Sequence, residues 1–408
     1  MKRPFLFIVS RATGVVIAGT ALIAVTYGLV RLAYGLFLPD IQADLGVDAA
    51  VAGFISSAAS VGYCGGAIVG FFIAARHPRL LVAAAGASAV LGAAGMAGSN
   101  GVGMFAASAV AGSLGAGLAS PGLVRLVGRN VAAAANDRSQ AIVNSGTGPG
   151  LAAAGILALV LLPDWRLAWA VVAVIGVLAT AAVLVLDHAG KAETTIGADA
   201  AAPDARTRPG LPSRSWFAHH ARVIVAALLL GAGSAAGWNF GRTLIVEAGA
   251  SDETSAVAWI AIGAGGAAVI GTARWLASRG PRAAWTITTL TVGASTAMLA
   301  VVPGALIPSL VAFAAFGWAY VAATGALIAW TTEIDPERAP SGTALLFVVL
   351  VFGQALGAAV LGVVAAGAGL VPAFIVGAVV TLAATVAAMR WRRAATPASA
   401  PTATRATG

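Results

Sequence analysis

Residues 27–40 read YGLVRLAYGLFLPD, and this stretch places one arginine, Arg31, inside an otherwise uncharged apolar run. An arginine at the centre of a membrane helix costs roughly 2.5–3.5 kcal/mol on insertion scales, so such a residue usually faces a water-filled cavity or a partner. Arg31 is therefore the first candidate for a functional residue. The rest of the chain has to supply a membrane domain with a cavity for it.

The composition is that of an integral membrane protein. Of the 408 residues, 59% are hydrophobic and 10% are charged, and the mean hydropathy is +0.92. Soluble domains have about 45–50% apolar and about 25% charged residues. The 51 glycines fit membrane helices whose backbones approach closely.

The hydropathy pattern predicts twelve membrane-spanning helices, since about 20 apolar residues cross a hydrocarbon core about 30 Å thick. The predicted spans are 13–38, 50–74, 79–98, 102–124, 140–162, 166–186, 223–246, 254–273, 283–302, 306–330, 342–366 and 370–389. They form an N-terminal six-helix half (1–186) and a C-terminal six-helix half (222–391). The polar stretch 187–221 is predicted to be a flexible cytoplasmic linker, and residues 392–408 a disordered tail.

The positive charges predict the orientation. All but three of the 24 lysines and arginines fall on one side of the predicted spans, the exceptions being Arg31, Arg166 and Arg242. By the positive-inside rule this side is cytoplasmic, so both termini are cytoplasmic in a multi-pass protein of the plasma (inner) membrane. The net charge of +9 therefore reflects orientation in the bilayer and not nucleic-acid binding.

The two halves repeat each other at an offset of 203 residues. The matched pairs are Gly28 with Gly231, Asp44 with Glu247, Gly46 with Gly249, Gly62 with Gly265, Arg76 with Arg279, Pro78 with Pro281 and Arg79 with Arg282. The register holds without gaps across two helices and their loops. One large class of transporters is built from two parallel six-helix halves, with the substrate site at their interface.

Several motifs together resemble those of the major facilitator superfamily. They are the loops GFFIAARHPR (70–79) and GTARWLASRGPR (271–282), NSGTGPGLAAAG (144–155), WRLAW (165–169), and RLAYGLFLPDIQADLG (31–46) with GYCGGA (62–67). The last pair is similar to a poorly characterised bacterial branch of that superfamily. The resemblance implies an all-α fold of twelve helices in two six-helix pseudo-repeats and secondary transport by alternating access.

The chain also departs from the superfamily's patterns. Both cytoplasmic loops lack the usual aspartate, which puts tight conformational locking through them in doubt. The fourth predicted helix, ASAVAGSLGAGLASPG (107–122), lacks the arginine of many proton-coupled exporters. Gly148 and Pro149 match the glycine-proline motif of the fifth helix. Because proline removes a backbone hydrogen bond, this pair is a candidate hinge, with simple packing as the alternative.

Tyr27, Arg31 and Tyr34 share one face of an α-helix, at i, i+4 and i+7. This face offers a cation between two phenols, which suits a carboxylate or a phosphate gripped by the guanidinium. The alternative is that Arg31 snorkels to the surface. Arg242 is a second candidate for substrate binding, with snorkelling or pairing to Glu247 as its alternatives.

Other polar side chains inside the predicted spans are candidates to line the cavity. Those that we take as substrate-binding candidates are Tyr63, Asn144, Trp238, Asn239 and Gln354. In membranes such side chains often bridge neighbouring helices instead, at about 0.6 kcal/mol each. Asn144, Asn239 and Gln354 are the costlier ones to bury without a partner.

All 15 acidic residues fall in loops or at the ends of the predicted helices. Organic cations and proton relays usually need a carboxylate or a histidine within the membrane. The pattern therefore disfavours an exporter of cationic drugs and favours an anionic or neutral amphipathic substrate. Asp40 and Glu247 are the nearest titratable groups, so they are the candidates for coupling, with protons as the candidate ion.

The sequence thus predicts a secondary transporter of small organic anions or neutral amphipathic molecules. A multidrug exporter of hydrophobic compounds and a transport-inactive receptor or assembly factor are the alternatives. No enzyme is expected, because no nucleophile-base pair or metal-ligand spacing occurs within the spans, and Cys64 is the one cysteine. We expect no metal, no cofactor and no nucleic-acid partner, and a monomer in the lipid bilayer.

Overall fold

The computed structural model describes residues 10–188 and 213–388. Within these ranges the fold is all-α, with helices and no strands. The helices are α1 (Arg11–Ile23), a π-helical segment (Ala24–Leu32), α2 (Tyr34–Leu45), α3 (Ala49–Ile73), α4 (Pro78–Ala97), α5 (Val102–Asn130), α6 (Ala133–Asn144), α7 (Thr147–Leu161), α8 (Trp165–Leu186), α9 (Arg214–Glu247), α10 (Asp252–Ala277), α11 (Pro281–Val301), α12 (Leu306–Ile334), α13 (Ala339–Ala368) and α14 (Leu370–Val386).

Eleven helices of the described chain are long and apolar enough to cross a membrane, counting α1 with the π segment, and α6 with α7, as one each. The apolar helix α14 is shorter, with 17 residues. The chain is therefore a multi-pass membrane protein. Eleven of the twelve predicted spans reach membrane-crossing length, and the twelfth is represented by α14.

The first span departs from a regular α-helix. Its central nine residues, Ala24–Leu32, form a π-helix, and α2 follows after Ala33. A π-helix closes each turn between residues i and i+5, so the predicted i, i+4, i+7 alignment does not hold through Arg31. Long π-helical stretches are rare, and short ones are frequent at functional sites.

The fifth span is divided at Ser145 and Gly146, between α6 and α7. We predicted a bend at Gly148 and Pro149, and the interruption lies just before them. Pro149 has no N–H for the Ser145 carbonyl, which accepts a hydrogen bond from the Gly148 amide at 3.2 Å instead. The Gly150 amide then bonds to the Gly146 carbonyl at 2.9 Å, which restarts the helix.

The repeat is visible in the helix caps. Gly46 after α2 and Gly249 after α9 both adopt positive φ, 67° and 95°, a conformation that glycine adopts without steric cost. Asp48 caps α3 and Ser251 caps α10, each by accepting a hydrogen bond from an amide of the first turn. These pairs keep the offset of 203 residues.

The bundle has two chemically different ends. We call one the acidic face, because it carries Asp40, Asp44, Asp48, Glu247, Asp252 and Glu253. We call the other the basic face, because it carries Arg76, Arg79, Arg125, Arg129, Arg279 and Arg282.

The two halves pack against each other through α2 with α9, α3 with α13, and α7 with α10, and extended packing between the halves is confined to these three pairs in the described ranges. The helices meet closely. A methyl group at Gly35 would lie 2.0 Å from the Trp238 carbonyl oxygen, and one at Gly53 would lie 2.3 Å from that of Ala358. Both contacts lie toward the acidic face, where the halves are tightly joined.

Helix α9 begins at Arg214, ahead of the predicted start of the C-terminal half at residue 222. Ser213 caps it by accepting a hydrogen bond from the Trp216 amide at 3.2 Å. The Trp216 indole in turn donates to Asp335 at 3.0 Å. Most of the predicted linker, 189–212, and the predicted tail lie outside the described residues.

Asp187, which we assigned to the flexible linker, is instead a buried structural residue. Its carboxylate accepts hydrogen bonds from Arg79 at 3.1 Å and from Asn130 at 2.8 Å, and it also pairs with Arg129, whose Nε lies at 2.9 Å. The loop between α3 and α4 has no carboxylate of its own. Asp187 thus supplies, from the end of α8, the negative charge that ties the start of α4 to α5.

The pKa of the Asp187 carboxyl lies below its ordinary value of 3.8. Burial raises this pKa, but hydrogen bonds from Arg129 and Asn130, together with the charge of Arg129, outweigh the burial. A lowered folded-state pKa means that the ionised carboxylate stabilises the fold above the pKa of the unfolded chain. This contribution is lost as the pH falls through the folded-state value.

We therefore expect Asp187→Asn to lower the free energy of unfolding by about 1–3 kcal/mol near neutral pH, because it weakens hydrogen bonds to a buried group. The difference from the wild type should shrink once the pH falls below about 4. Thermal unfolding in detergent, from neutral pH to below about pH 4, measures this difference in stability. Glu337→Gln, at an exposed position, is the control, and a difference that is independent of pH would contradict the assignment.

The close packing of α10 on α12 at Gly265 predicts that a larger side chain there lowers stability. A methyl group there would lie 1.9 Å from the Ala314 carbonyl oxygen of α12, so Gly265→Ala must push the two helices apart. We expect a loss of about 1–3 kcal/mol, as for other overpacked cores. Gly271→Ala on the same helix meets nothing within 4 Å and should be neutral or slightly stabilising, because alanine favours helices. Equal melting temperatures for the two variants would contradict this packing.

Candidate functional site

A small cavity of about 40 Å³ lies between the two halves, near the middle of the bundle. Its walls come from the π segment, α2, α3, α5, α9 and α13. The lining residues are Arg31, Leu32, Tyr34, Gly35, Ile55, Ser56, Ala59, Ser60, Ser113, Ala235, Trp238, Asn239 and Gln354. Sites for drug-sized ligands measure about 300–1,000 Å³, so this conformation is too narrow for such a molecule.

Arg31 is the one charged residue of the cavity wall. Its Nη2 donates to Gln354 Oε1 at 2.7 Å, and its guanidinium carbon lies 4.8 Å from the centroid of the Tyr63 ring. Its Nε is buried without a hydrogen-bond partner. Across residues 10–188 and 213–388, no ion pair neutralises Arg31. The guanidinium therefore faces the cavity and does not snorkel.

Gln354 joins Arg31 to the C-terminal half. Its Oε1 accepts from Arg31, and its Nε2 donates to the Tyr320 hydroxyl at 2.8 Å. The chain of contacts therefore runs from the π segment through α13 to α12. A neutral amide orients the guanidinium without cancelling its charge, so the positive potential of the cavity is preserved.

Tyr63 lies behind Arg31 and outside the cavity wall. Its hydroxyl shares a hydrogen bond of 3.0 Å with the Tyr27 hydroxyl, which also lies 3.0 Å from Ser120 Oγ. The Tyr63 ring presents a face to the guanidinium, and such cation–π contacts are worth about 0.5–2 kcal/mol. Tyr63 thus positions Arg31.

Tyr34 lines the cavity with its ring, while its hydroxyl is engaged elsewhere. The hydroxyl donates to the Ala52 carbonyl oxygen at 2.9 Å, and the ring packs on Phe105 at a centroid distance of 6.2 Å. The side chain thus contributes shape and apolar surface. The predicted pair of phenols flanking Arg31 is replaced by Tyr63 behind it and the Tyr34 ring in the wall.

Helix α9 supplies the opposite wall. Ser56 Oγ donates to Asn239 Oδ1 at 2.5 Å across the halves. The Trp238 ring packs edge-on against Phe316 and Tyr320, at centroid distances of 5.3 and 5.2 Å. Its Nε1 is buried without a hydrogen-bond partner. This wall is aromatic and carries an unused donor.

Three residues that line the cavity carry a buried donor without a hydrogen-bond partner in the described ranges. These donors are Arg31 Nε, Ser113 Oγ and Trp238 Nε1. An unpaired buried polar group typically costs about 1–3 kcal/mol, so native structures keep few of them. The arrangement of donors and one positive charge suits a bound group that accepts hydrogen bonds. Sequence reasoning missed Ser113, because a lone serine on a membrane helix carries no distinctive signal.

Asn144, Gly148 and Pro149 lie away from the cavity wall. Asn144 ends α6 and is exposed, and Pro149 in the first turn of α7 is also exposed. The structure therefore does not bring Asn144 together with Arg31. Gly148 and Pro149 lie beside the interruption of the fifth span, and their role as a hinge stays a prediction.

Arg242 lies outside the cavity, in an ion cluster at the acidic face, and its side chain is 1% exposed. Its Nη1 binds Asp40 and the Leu36 carbonyl oxygen, the latter at 2.7 Å. Its Nη2 donates to Asp252 at 2.6 Å, and its Nε to Ser255 Oγ at 2.8 Å. Every nitrogen of the guanidinium is thus paired, so neither snorkelling nor pairing with Glu247 occurs.

The cluster joins the two halves of the protein. Asp40 belongs to α2, whereas Arg242 and Asp252 belong to the C-terminal half. Of the two coupling candidates, Asp40 is therefore in a position to affect the closure of the acidic face. Glu247 is exposed and forms no ion pair in the part of the chain that the structure describes. Sequence reasoning missed Asp252, because its pairing with Arg242 depends on how α9 and α10 pack.

Comparison with known proteins identifies the fold. The model of the Major Facilitator Superfamily matches residues 20–334. No curated protein matches the sequence. Among solved structures, the nucleoside transporter NupG has a TM-score of 0.75 at 14% identity, covering 93% of this chain and 98% of that one.

Two further solved structures are similar. A D-xylose-proton symporter has a TM-score of 0.76 at 13% identity, covering 93% of this chain and 97% of that one. A POT family transporter in complex with 5-aminolevulinic acid has a TM-score of 0.73 at 13% identity, covering 91% and 94%. At 13–14% identity, the structural similarity to these transporters establishes the fold alone.

The ion cluster predicts how a single substitution changes the closure of the acidic face. Asp40→Asn removes one carboxylate from a buried arginine. Losing one partner of a buried pair costs about 3–5 kcal/mol, and we expect less here because Asp252 remains. The state with a closed acidic face should therefore become less populated.

The labelling rate of Ala59→Cys, at a position that lines the cavity, measures this shift in a Cys64→Ser background. Asp40→Asn should raise the rate, whereas Glu247→Gln should leave it unchanged, because Glu247 is exposed and forms no ion pair in the described ranges. Equal rates in both variants would show that the cluster does not hold the halves together.

Proposed function

Since this chain belongs to the Major Facilitator Superfamily, and is in general terms a secondary transporter, we propose that it carries small organic anions across the membrane, with the Arg31 guanidinium as their partner. One observation carries the proposal: Arg31 is a partly buried cation at the centre of the bundle with only neutral neighbours in the described ranges. A charge in this position requires a counter-charge, and the substrate supplies it. Arginine suits carboxylates and phosphates, because it binds them in bidentate fashion.

The unpaired donors support the same substrate class. Arg31 Nε, Ser113 Oγ and Trp238 Nε1 offer hydrogen bonds that an anion can accept. The Trp238 ring adds an apolar surface for the remainder of the molecule. A single uncompensated charge favours a monoanion. Neutral amphipathic compounds and the hydrophobic substrates of a multidrug exporter would leave Arg31 unneutralised.

We propose that the acidic face is external and the basic face cytoplasmic, as the positive-inside rule predicts for a protein of the plasma membrane. The closed acidic face then corresponds to a conformation sealed from the outside. Substrate entry requires the halves to separate, because the cavity of about 40 Å³ is smaller than a typical ligand site. The break before Gly148 provides a place for α7 to bend.

Asp40 is our candidate for coupling to protons. It bridges the halves through Arg242 at the proposed external face, where it can exchange protons with the outside. Protonation removes one partner of the buried guanidinium and so weakens closure. A proton-coupled sugar transporter among the similar structures is consistent with this route. We propose that the transporter acts as a monomer.

A thermal-shift screen of the purified protein tests the substrate class. A ligand that binds only the folded protein stabilises it by about 2.7 kcal/mol at a hundredfold excess over its Kd. Small aromatic and aliphatic carboxylates and phosphate esters should raise the melting temperature of the wild type. Organic cations and neutral aromatics should not. The shift should be absent in Arg31→Ala and retained in Arg166→Ala, whose arginine pairs with Asp44 away from the cavity.

In the absence of ligand, Arg31→Ala should lose little stability, because the lost contacts with Gln354 and Tyr63 are offset by the removal of a charge that has no counter-ion in the described ranges. This result separates a functional arginine from a structural one, since functional sites often cost stability. Anions that stabilise Arg31→Ala as well as the wild type, or cations that stabilise both, would refute the proposed site.

A further inference from the structure

A second concave site lies at the basic face, away from the central cavity. It is a hollow of about 490 Å³ at the ends of α3, α4, α5 and α8. Its walls combine basic and apolar side chains. The lining residues are Arg76, His77, Pro78, Arg79, Leu80, Ala83, Arg129 and Leu184.

The hollow has an excess of positive charge. Arg79 and Arg129 share one carboxylate, that of Asp187, whose side chain is fully buried. Their own side chains stay 50% and 32% exposed. Arg76 is exposed and forms no ion pair within residues 10–188 and 213–388. Three guanidinium groups thus surround a space in which one fixed carboxylate balances them only in part.

The N-terminus of α4 adds to this potential. The helix begins at Pro78, and His77 before it provides no side-chain hydrogen bond to the first turn. The amides of Arg79 and Leu80 therefore lack a capping acceptor from this side chain. The positive end of the helix dipole and the free amides favour an anion, and phosphate groups commonly bind there.

The rim of the hollow is apolar and exposed. Leu80 is 64% exposed, and Phe72 at the nearby end of α3 is 72% exposed. These side chains lie where a membrane-spanning bundle meets lipid headgroups. A ligand at this level meets cations on the inner side and apolar surface on the outer side, so the hollow suits an amphiphile with an anionic head.

We propose that this hollow binds the phosphodiester headgroup of an anionic phospholipid from the surrounding bilayer. The arginines and the start of α4 hold the phosphate, and the acyl chains lie along the exposed apolar side chains at the rim. Basic pockets between membrane helices are suited to such headgroups. The site is separate from the cavity around Arg31.

The corresponding loop of the C-terminal half provides an internal comparison. Arg279, the repeat partner of Arg76, stacks on Trp275 at 5.2 Å. Arg282, the partner of Arg79, lies 3.9 Å from Glu333 and over the Trp330 ring. These arginines are engaged by side chains of their own half. The lipid site is therefore expected in the N-terminal half alone.

The experiment compares phosphatidylglycerol with phosphatidylcholine of the same acyl chains, added to the purified full-length chain in detergent. Phosphatidylglycerol should raise the melting temperature well beyond phosphatidylcholine. Arg76→Gln should reduce this excess by at least half, and Arg279→Gln should leave it intact. Because Arg76 is exposed, the melting temperature without lipid should not change. Native mass spectrometry should show fewer retained phosphatidylglycerol molecules on Arg76→Gln.

Two further measurements are needed. One distinguishes a lipid headgroup from a soluble anion, and the other distinguishes the hollow from the central cavity. Glycerol 3-phosphate at the same concentration should not reproduce the shift, and Arg31→Ala should keep it. Equal stabilisation by both lipids, equal loss in Arg76→Gln and Arg279→Gln, or loss of the shift in Arg31→Ala would overturn the proposal. A full shift with glycerol 3-phosphate would also overturn it, because the hollow would then hold a soluble anion.

Discussion

The structure depends on the contrast between two arginines inside the bundle, one buried and one partly buried. Arg242 is paired through every guanidinium nitrogen, with Asp40 and Asp252 as its carboxylate partners. Arg31 has an amide, an aromatic face and one unpaired nitrogen. A charge inside the bundle needs compensation. The protein itself compensates Arg242, and we propose that the substrate compensates Arg31.

The packing of the helices separates the ion cluster of Arg242 from the cavity that Arg31 lines. Close backbone contacts, such as Gly35 against Trp238, join the halves toward the acidic face and leave a narrow cavity beneath. The π-helical segment that ends beside Arg31 and the break before Gly148 both interrupt regular α-helix within the described ranges. Irregular backbone within a membrane is tolerated where protein or water satisfies it. We propose these two interruptions as the positions at which the helices bend.

The sequence predicts the fold well and places Arg31 inside the first membrane span, for physical reasons. Apolar runs of sufficient length and an arginine inside one of them are local signals. Contacts between distant segments leave no local signal. The pairing of Arg242 with Asp40 and the burial of Asp187 therefore could not be derived from the sequence. The π-helix has no clear sequence signature, and it moved Tyr34 out of the predicted alignment with Arg31. Asn144 ends α6 and is exposed, away from the cavity, which its residue type alone does not reveal.

Uptake of a stabilising organic anion into proteoliposomes tests the central claim, that Arg31 is the counter-charge for the substrate. The wild type should show saturable uptake, and Arg31→Ala should reduce it by about tenfold or more, the equivalent of about 1.4 kcal/mol or more of lost interaction. Arg31→Lys should retain part of the activity, because lysine keeps the charge and loses the bidentate geometry. Uptake by Arg31→Ala at the wild-type rate and affinity would contradict the account.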